Sequence, residues 1–277
     1  MDLLCEIKQI KTSELLEGIR EPYYYILIFE KKATFSVDFT EYECNGGSLL
    51  FLSPYQFFKW EHPSLPFIDA IIFHGDFYCI EYHKKEVACN GVLFNNIYQQ
   101  PYVSVKEDTF EEVRAIVGKM KKMSATRSIS DISIVKSYLQ LILALTSKEK
   151  QQQLTPEVID TPQFDHIVDF QAVLEKHFLD TKKISFYASK FGLSVNTFSK
   201  KIKKHFGKSP SKLMQERIVL EAKKLLHLTH KPIKEIAAEM NFEDEFYFSR
   251  FFKKEVGLSP KRFREKVGIS IVAKSSM

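Results

Sequence analysis

Asn196, Ser199, Lys200 and Lys203 are spaced to share one side of a helix, and Phe246, Ser249, Arg250 and Lys253 repeat that arrangement fifty residues later. The chemistry open to such a face is the reading of base edges. Asn pairs with adenine and Lys or Arg with guanine, and a helix fits the major groove, which is about 12 Å wide. The other side of each segment is apolar: Phe198, Ile202 and Phe206 in the first, Phe248, Phe252 and Val256 in the second. Those side chains should pack inward. Lys204, Lys208 and Lys254, with Lys203 and Lys253, are placed to anchor phosphates, which adds affinity without sequence information. For any one lysine alone, plain solvation is the simpler reading.

These faces sit in an internal repeat. Ile184–Gly192 aligns with Ile233–Asn241, Ala188 falling on Ala237; beyond the turn Ser194, Phe198, Ser199 and Lys200 fall on Asp244, Phe248, Ser249 and Arg250, and Gly207-Lys-Ser-Pro210 on Gly257-Leu-Ser-Pro260. Each copy reads as a helix-turn-helix, about 184–206 and 233–256. A small alanine allows a close helix crossing, and Gly192 or Asn241 takes the left-handed turn. Ser194 or Asp244 caps the next helix, and Ser209-Pro210 or Ser259-Pro260 starts another. Between the copies, Pro210 to about His227 reads as one helix with the stripe Leu213, Met214, Ile218, Ala222, Leu225, Leu226. Its length of about 25 Å suits two readers set in successive grooves, about 34 Å apart.

Charge divides the chain the same way. Residues 164–266 hold 22 basic and 13 acidic residues, a balance of +9, whereas residues 1–163 sum to −5. The basic half is the candidate for a polyanion partner.

The first half has a different grammar. Strands are expected over about 20–105: Tyr23–Phe29, Thr34–Phe39, Ser48–Leu52 after the Gly46-Gly47 turn, Phe67–Phe73 and Phe77–Tyr82. Short strands this close suggest a small barrel or sandwich. From about 106 to 147 the period is helical, through Phe110, Val113, Ile116, Val117 and Met120, then Ile132, Val135, Leu139, Ile142, Leu143 and Leu145. The second of these helices is apolar enough to form a homodimer seam or to pack on its own sheet. Residues 148–163, polar and broken by Pro156 and Pro162, read as a linker, and 267–277 as a tail.

Residues 164–266 resemble the DNA-binding domain of AraC/XylS-type bacterial transcription regulators. The resemblance rests on Arg217–Leu226, Ile233–Ala237, Asn241-Phe242, Tyr247–Lys254, Gly257–Pro260 and Phe263-Arg264. It implies an α+β chain: a cupin-like β-barrel and two helices, then an all-α domain of seven helices with two helix-turn-helix units. It places base contacts on Val195, Asn196, Ser199 and Lys200, and on Glu245, Phe246, Ser249 and Arg250. Phe246 stands where that family usually has a small or polar residue. It either meets a thymine methyl or packs on Tyr247, the second being slightly favoured. The segment Asn45–Pro54 looks like the turn and strand of those barrels, with Ser48 in place of an acid.

The function expected is therefore a sequence-specific regulator, by resemblance more an activator than a repressor. Its partners would be double-stranded DNA, RNA polymerase, a second copy through residues 106–147 and a small-molecule effector. Tyr25, Phe51, Phe58 and Trp60 are candidates to line an effector pocket, though barrel core is the commoner fate of such residues. The alternatives are an architectural, low-specificity DNA binder, or a cupin enzyme fused to a DNA-binding domain. No catalytic grouping is found: no G-x-S-x-G, P-loop, H-E-x-x-H or Rossmann glycine pattern. His62, His74 and His83 are isolated, so no metal or other cofactor is expected. Cysteines 5, 44, 79 and 89 form no C-x-x-C pair and are expected as thiols. No apolar run approaches the roughly 20 residues of a membrane span, and the first residues do not read as a secretory signal. A cytoplasmic, nucleoid-associated protein is expected.

Overall fold

The computed structural model describes residues 4–38, 40–62, 65–78, 93–94, 96–124, 129–154 and 166–269. The chain is α+β and divides into two compact units, one of residues 1–96, 100–156 and 266–277, the other of 97–99 and 157–265.

The first unit is layered. Strands β1 (Cys5–Lys11), β2 (Tyr24–Phe29), β5 (Ser48–Leu52), β7 (Phe67–Phe73) and β8 (Tyr102–Ser104) form one antiparallel sheet in the order β1-β7-β2-β5-β8. Strands β3 (Ala33–Val37), β4 (Thr40–Cys44) and β6 (Phe58–His62) form a second, in the order β4-β3-β6. Helices α1 (Glu107–Ser124) and α2 (Ile129–Leu154) follow.

Strand alternation decides which side chains meet. On one face of the larger sheet, Ile26, Ile28, Phe51, Ile71 and Phe73 pack against Phe110, Val113, Val117 and Met120 of α1 and Leu139, Ile142 and Leu143 of α2. On the other, Tyr25, Leu27, Phe29, Leu50, Leu52 and Ile72 meet Phe35, Phe58 and Trp60 of the smaller sheet. Strand β2 is thus buried on both faces, which is why it reads as an unbroken apolar run. Each such side chain contributes roughly 1.5–3 kcal/mol.

Several expectations need correction here. Strand β1 lies before the region read as strands; its CEIKQIK pattern buries only Ile7 and Ile10. Phe77 and Tyr78 lie in a turn, not a strand, and residues 79–82 fall outside the described residues. Ile132 lies off the buried stripe and is exposed. Helix α2 runs seven residues into the expected linker. Within that polar end Glu149 and Lys150 are buried, and each finds a partner. Thr109 donates to Glu149 at 3.1 Å, and Lys150 Nζ donates to the carbonyls of Gln100 and Tyr102 at 2.8 and 2.9 Å.

Among the described residues, seven α-helices follow, as expected: α3 (Phe170–His177), α4 (Ile184–Lys190), α5 (Val195–Phe206), α6 (Pro210–Leu228), α7 (Ile233–Glu239), α8 (Glu245–Val256) and α9 (Pro260–Val267). Helix α6, 19 residues and so about 28 Å long, buries the whole stripe from Leu213 to Leu226.

Candidate nucleic-acid interface

Each reading helix is set by local chemistry. Gly192 at φ 64° ends the first turn, and Asn241 at φ 53° ends the second, where the side-chain amide of an Asn eases the left-handed backbone. The Ser194 hydroxyl then accepts from the amide of Thr197 at 3.2 Å, and the Asp244 carboxylate from that of Tyr247 at 2.6 Å. These caps satisfy amides that the helix leaves open. Gly207 and Gly257, at φ 71° and 91°, close the far ends.

Burial fixes which way each helix faces. Phe198 and Ile202 of α5 and Phe248, Phe252 and Val256 of α8 are buried. In the first copy Phe170 of α3 holds Tyr187 and Phe198 edge-on at 5.9 and 5.5 Å. In the second, Phe242 meets Phe248 at 5.2 Å and Phe252 meets Phe263 at 5.5 Å.

The opposite faces lie open. Val195, Asn196 and Lys200 are exposed and Ser199 is half-buried; Phe246 and Arg250 are exposed and Glu245 and Ser249 half-buried. Lys203, Lys204, Lys253 and Lys254 are exposed at the helix ends. There cations also complement the helix dipole. The favoured partner of Phe246 is corrected: Tyr247 packs on Phe242 at 5.6 Å, and Phe246 stands 72% exposed.

Lys208 departs from its expected role. Its ammonium pairs with Glu216 at 2.8 Å and donates to the Ile97 carbonyl at 3.3 Å, with the side chain only 12% exposed. An ammonium so enclosed pins the turn between α5 and α6.

A second set of residues, missed as functional at the sequence level, positions the helices. Arg217 donates to both oxygens of Glu175 at 3.0 and 2.8 Å and to Glu221 at 3.0 Å, and lies over the Phe178 ring at 3.9 Å. This locks α6 onto α3. Burial works against the Glu221 carboxylate, but Arg217 and Lys224 outweigh it and hold its pKa below the ordinary value. Arg264 donates to the carbonyls of Leu226 and Lys231 at 3.1 and 2.7 Å, tying the end of α6 to the approach to α7. Arg217, Glu221, Lys224 and Arg264 fall within the family-like segments, whereas Glu175 and Phe178 carry no such signal.

The four aromatics considered for an effector pocket are not brought together. Tyr25, Phe58 and Trp60 fill the space between the sheets, while Phe51 faces the helices. All four are buried. Among the described residues, no His, Cys, Asp and Glu cluster suited to a metal ion occurs. Burial pushes the Cys5 and Cys44 thiols up to about 12 and about 11, so both are inert as nucleophiles. Among the described residues, no helix is long and apolar enough to cross a membrane.

Residues 187–266 match the family described as "Helix-turn-helix domain". Over 229 residues the chain is 23% identical to the HTH-type transcriptional activator RhaS of Escherichia fergusonii, covering 81% of this chain and 78% of that one. The chain is a DNA-binding transcriptional regulator whose C-terminal helix-turn-helix domain is of the AraC type. This regulator is also 29% identical over 127 residues to the HTH-type transcriptional regulator ExsA of Pseudomonas aeruginosa, covering 46% of each. The C-terminal domain of the response regulator yesN from Fusobacterium nucleatum is 32% identical, with a TM-score of 0.33, covering 34% of this chain and 93% of that one.

Proposed function

We propose that this regulator is a transcriptional activator whose helices α5 and α8 read two adjacent major-groove segments from a single chain. The observation that carries the reading is the repeated face: two helices capped in the same way, each turning polar side chains out. Asn196, Ser199 and Lys200 read through α5, and Glu245, Ser249 and Arg250 through α8. Val195 and Phe246 supply apolar contacts, and Lys203, Lys204, Lys253 and Lys254 hold phosphates. The relatives named as activators favour activation, which brings RNA polymerase in as a partner.

Under this reading residues 164–266 bind DNA, and the N-terminal unit is a cupin-like sensory and dimerisation domain without enzymatic activity. Ile134 and Leu141 support the dimer. They are 38% and 41% exposed, one heptad apart on the face of α2 turned from its own sheet. A small-molecule effector would act by changing dimer geometry. Such a protein works in the cytoplasm, on the chromosome.

The test is binding of the full chain to pooled genomic fragments at two salt concentrations, with the retained DNA sequenced. The expected result is one asymmetric motif with two half-sites about one helical turn apart. Retention that is uniform across sequence and lost with salt would put the architectural reading first. A hydrolase screen of the same preparation tests the enzyme reading, and robust turnover would reinstate it.

A further inference from the structure

We infer that Phe246 reads the 5-methyl group of a thymine, so that the half-site under α8 is recognised partly by a methyl rather than by hydrogen bonds alone. The inference rests on the DNA-reading function proposed above. Phe246 is 72% exposed, more than any other large apolar side chain among the described residues. Its neighbour offers it no shelter, because Tyr247 is committed to Phe242 at 5.6 Å. The ring shares its side of the helix with Ser249, Arg250 and Lys253. It therefore enters whatever surface those polar groups approach.

Charge says which part of that surface it meets. Arg250, Lys253 and Lys254 occupy the later turns of α8 and suit DNA. The start of the helix carries Asp244 and Glu245 instead, and these repel phosphate. Asp244 is already used as the cap. The tip is thus steered away from the backbone and toward base edges. The apolar group that major-groove edges present is the thymine methyl. The corresponding position of α5 is Asn196, which suits adenine. The two halves of the site should differ in kind, one requiring a hydrogen-bonding edge and the other a methyl.

The experiment uses the full chain and the site recovered from genomic DNA. Each thymine is replaced singly by deoxyuridine, which removes only the methyl, and affinity is measured for wild type, Phe246→Ala and Phe246→Leu. In the α8 half-site one thymine should respond, its replacement weakening wild type about fourfold, the worth of one buried methyl. The penalty should vanish in Phe246→Ala and persist in part in Phe246→Leu. Equal penalties in wild type and Phe246→Ala, or no responsive thymine in a site that is still bound specifically, would overturn this inference and leave DNA reading standing. Recovery of no preferred site would overturn both. Thermal midpoints check that the variants fold, and if Phe246→Ala does not, the wild-type scan with Phe246→Leu decides.

Discussion

The ammonium of Lys182 lies 3.3 Å from the centre of the Phe242 ring, sixty residues away in sequence, and also donates to the Asn241 carbonyl at 3.1 Å. The Asn241 amide returns a bond to the carbonyl of Leu179 at 3.1 Å. The loop ahead of the first helix-turn-helix thus holds the turn of the second. Lys182→Ala should lower stability by about 1–2 kcal/mol, the worth of a half-buried cation–π contact and one hydrogen bond. Urea denaturation checks this, and an unmoved midpoint would reject the coupling.

Arg250→Ala should cost about 1–3 kcal/mol on the specific site if Arg250 pairs with guanine, with little change on scrambled DNA. Titration of both DNAs decides it; equal losses on the two would reassign Arg250 to the backbone.

Lys204 and Lys208 should separate cleanly. Lys204→Ala should weaken all sequences alike and reduce the salt slope by about one. Lys208→Ala strands Glu216, which is only 13% exposed, without its closest cation. It should lower the thermal midpoint and leave the salt slope unchanged. Reversed outcomes would restore Lys208 as a phosphate anchor.

Asp244→Ala should destabilise the chain by about 1 kcal/mol, and Ser194→Ala by a similar amount, because each leaves a helix amide unpaired. Chemical denaturation measures the loss. Asp244→Asn keeps the acceptor and should recover most of it.

Burial lowers the Lys150 pKa to about 8 from an ordinary 10.5. Between these values the unfolded chain binds more protons than the folded one, so this group makes stability rise with pH. The gain should begin near pH 8 and be complete by about pH 10.5. Lys150→Met should flatten that part of the profile relative to wild type, while the Gln100 and Tyr102 carbonyls lose their donor. Parallel wild-type and variant profiles would remove Lys150 as the source.

The helical half was legible because its signals are local. Caps, left-handed turns and apolar stripes act within a few residues, so Ser194, Gly207, Asp244 and Gly257 could each be placed from spacing alone. Phe246 could not: whether it packs on Tyr247 depends on Phe242 reaching that ring first. The front half was legible where apolar runs are long, as in β2, β5 and β7. Strand β1 was missed because it buries few side chains. The pocket aromatics were misgrouped because strand register is a long-range property. Ile26 lies opposite Phe51, and Tyr25 opposite Leu52, which turns Phe51 to the face away from Tyr25. The end of α2 was read as linker because nothing local shows that Lys150 will meet the carbonyls of Gln100 and Tyr102.

Helix α6 is built into the core along its length, with Arg217 and Arg264 fastening it near its middle and its end. If α5 and α8 read DNA as proposed, it acts as a ruler whose length no side-chain substitution on the reading faces can alter. Binding sites for this protein can then diverge in their letters but not in their gap. Inserting five base pairs between the half-sites turns one of them to the far side of the duplex, and no improvement in base pairing brings it back.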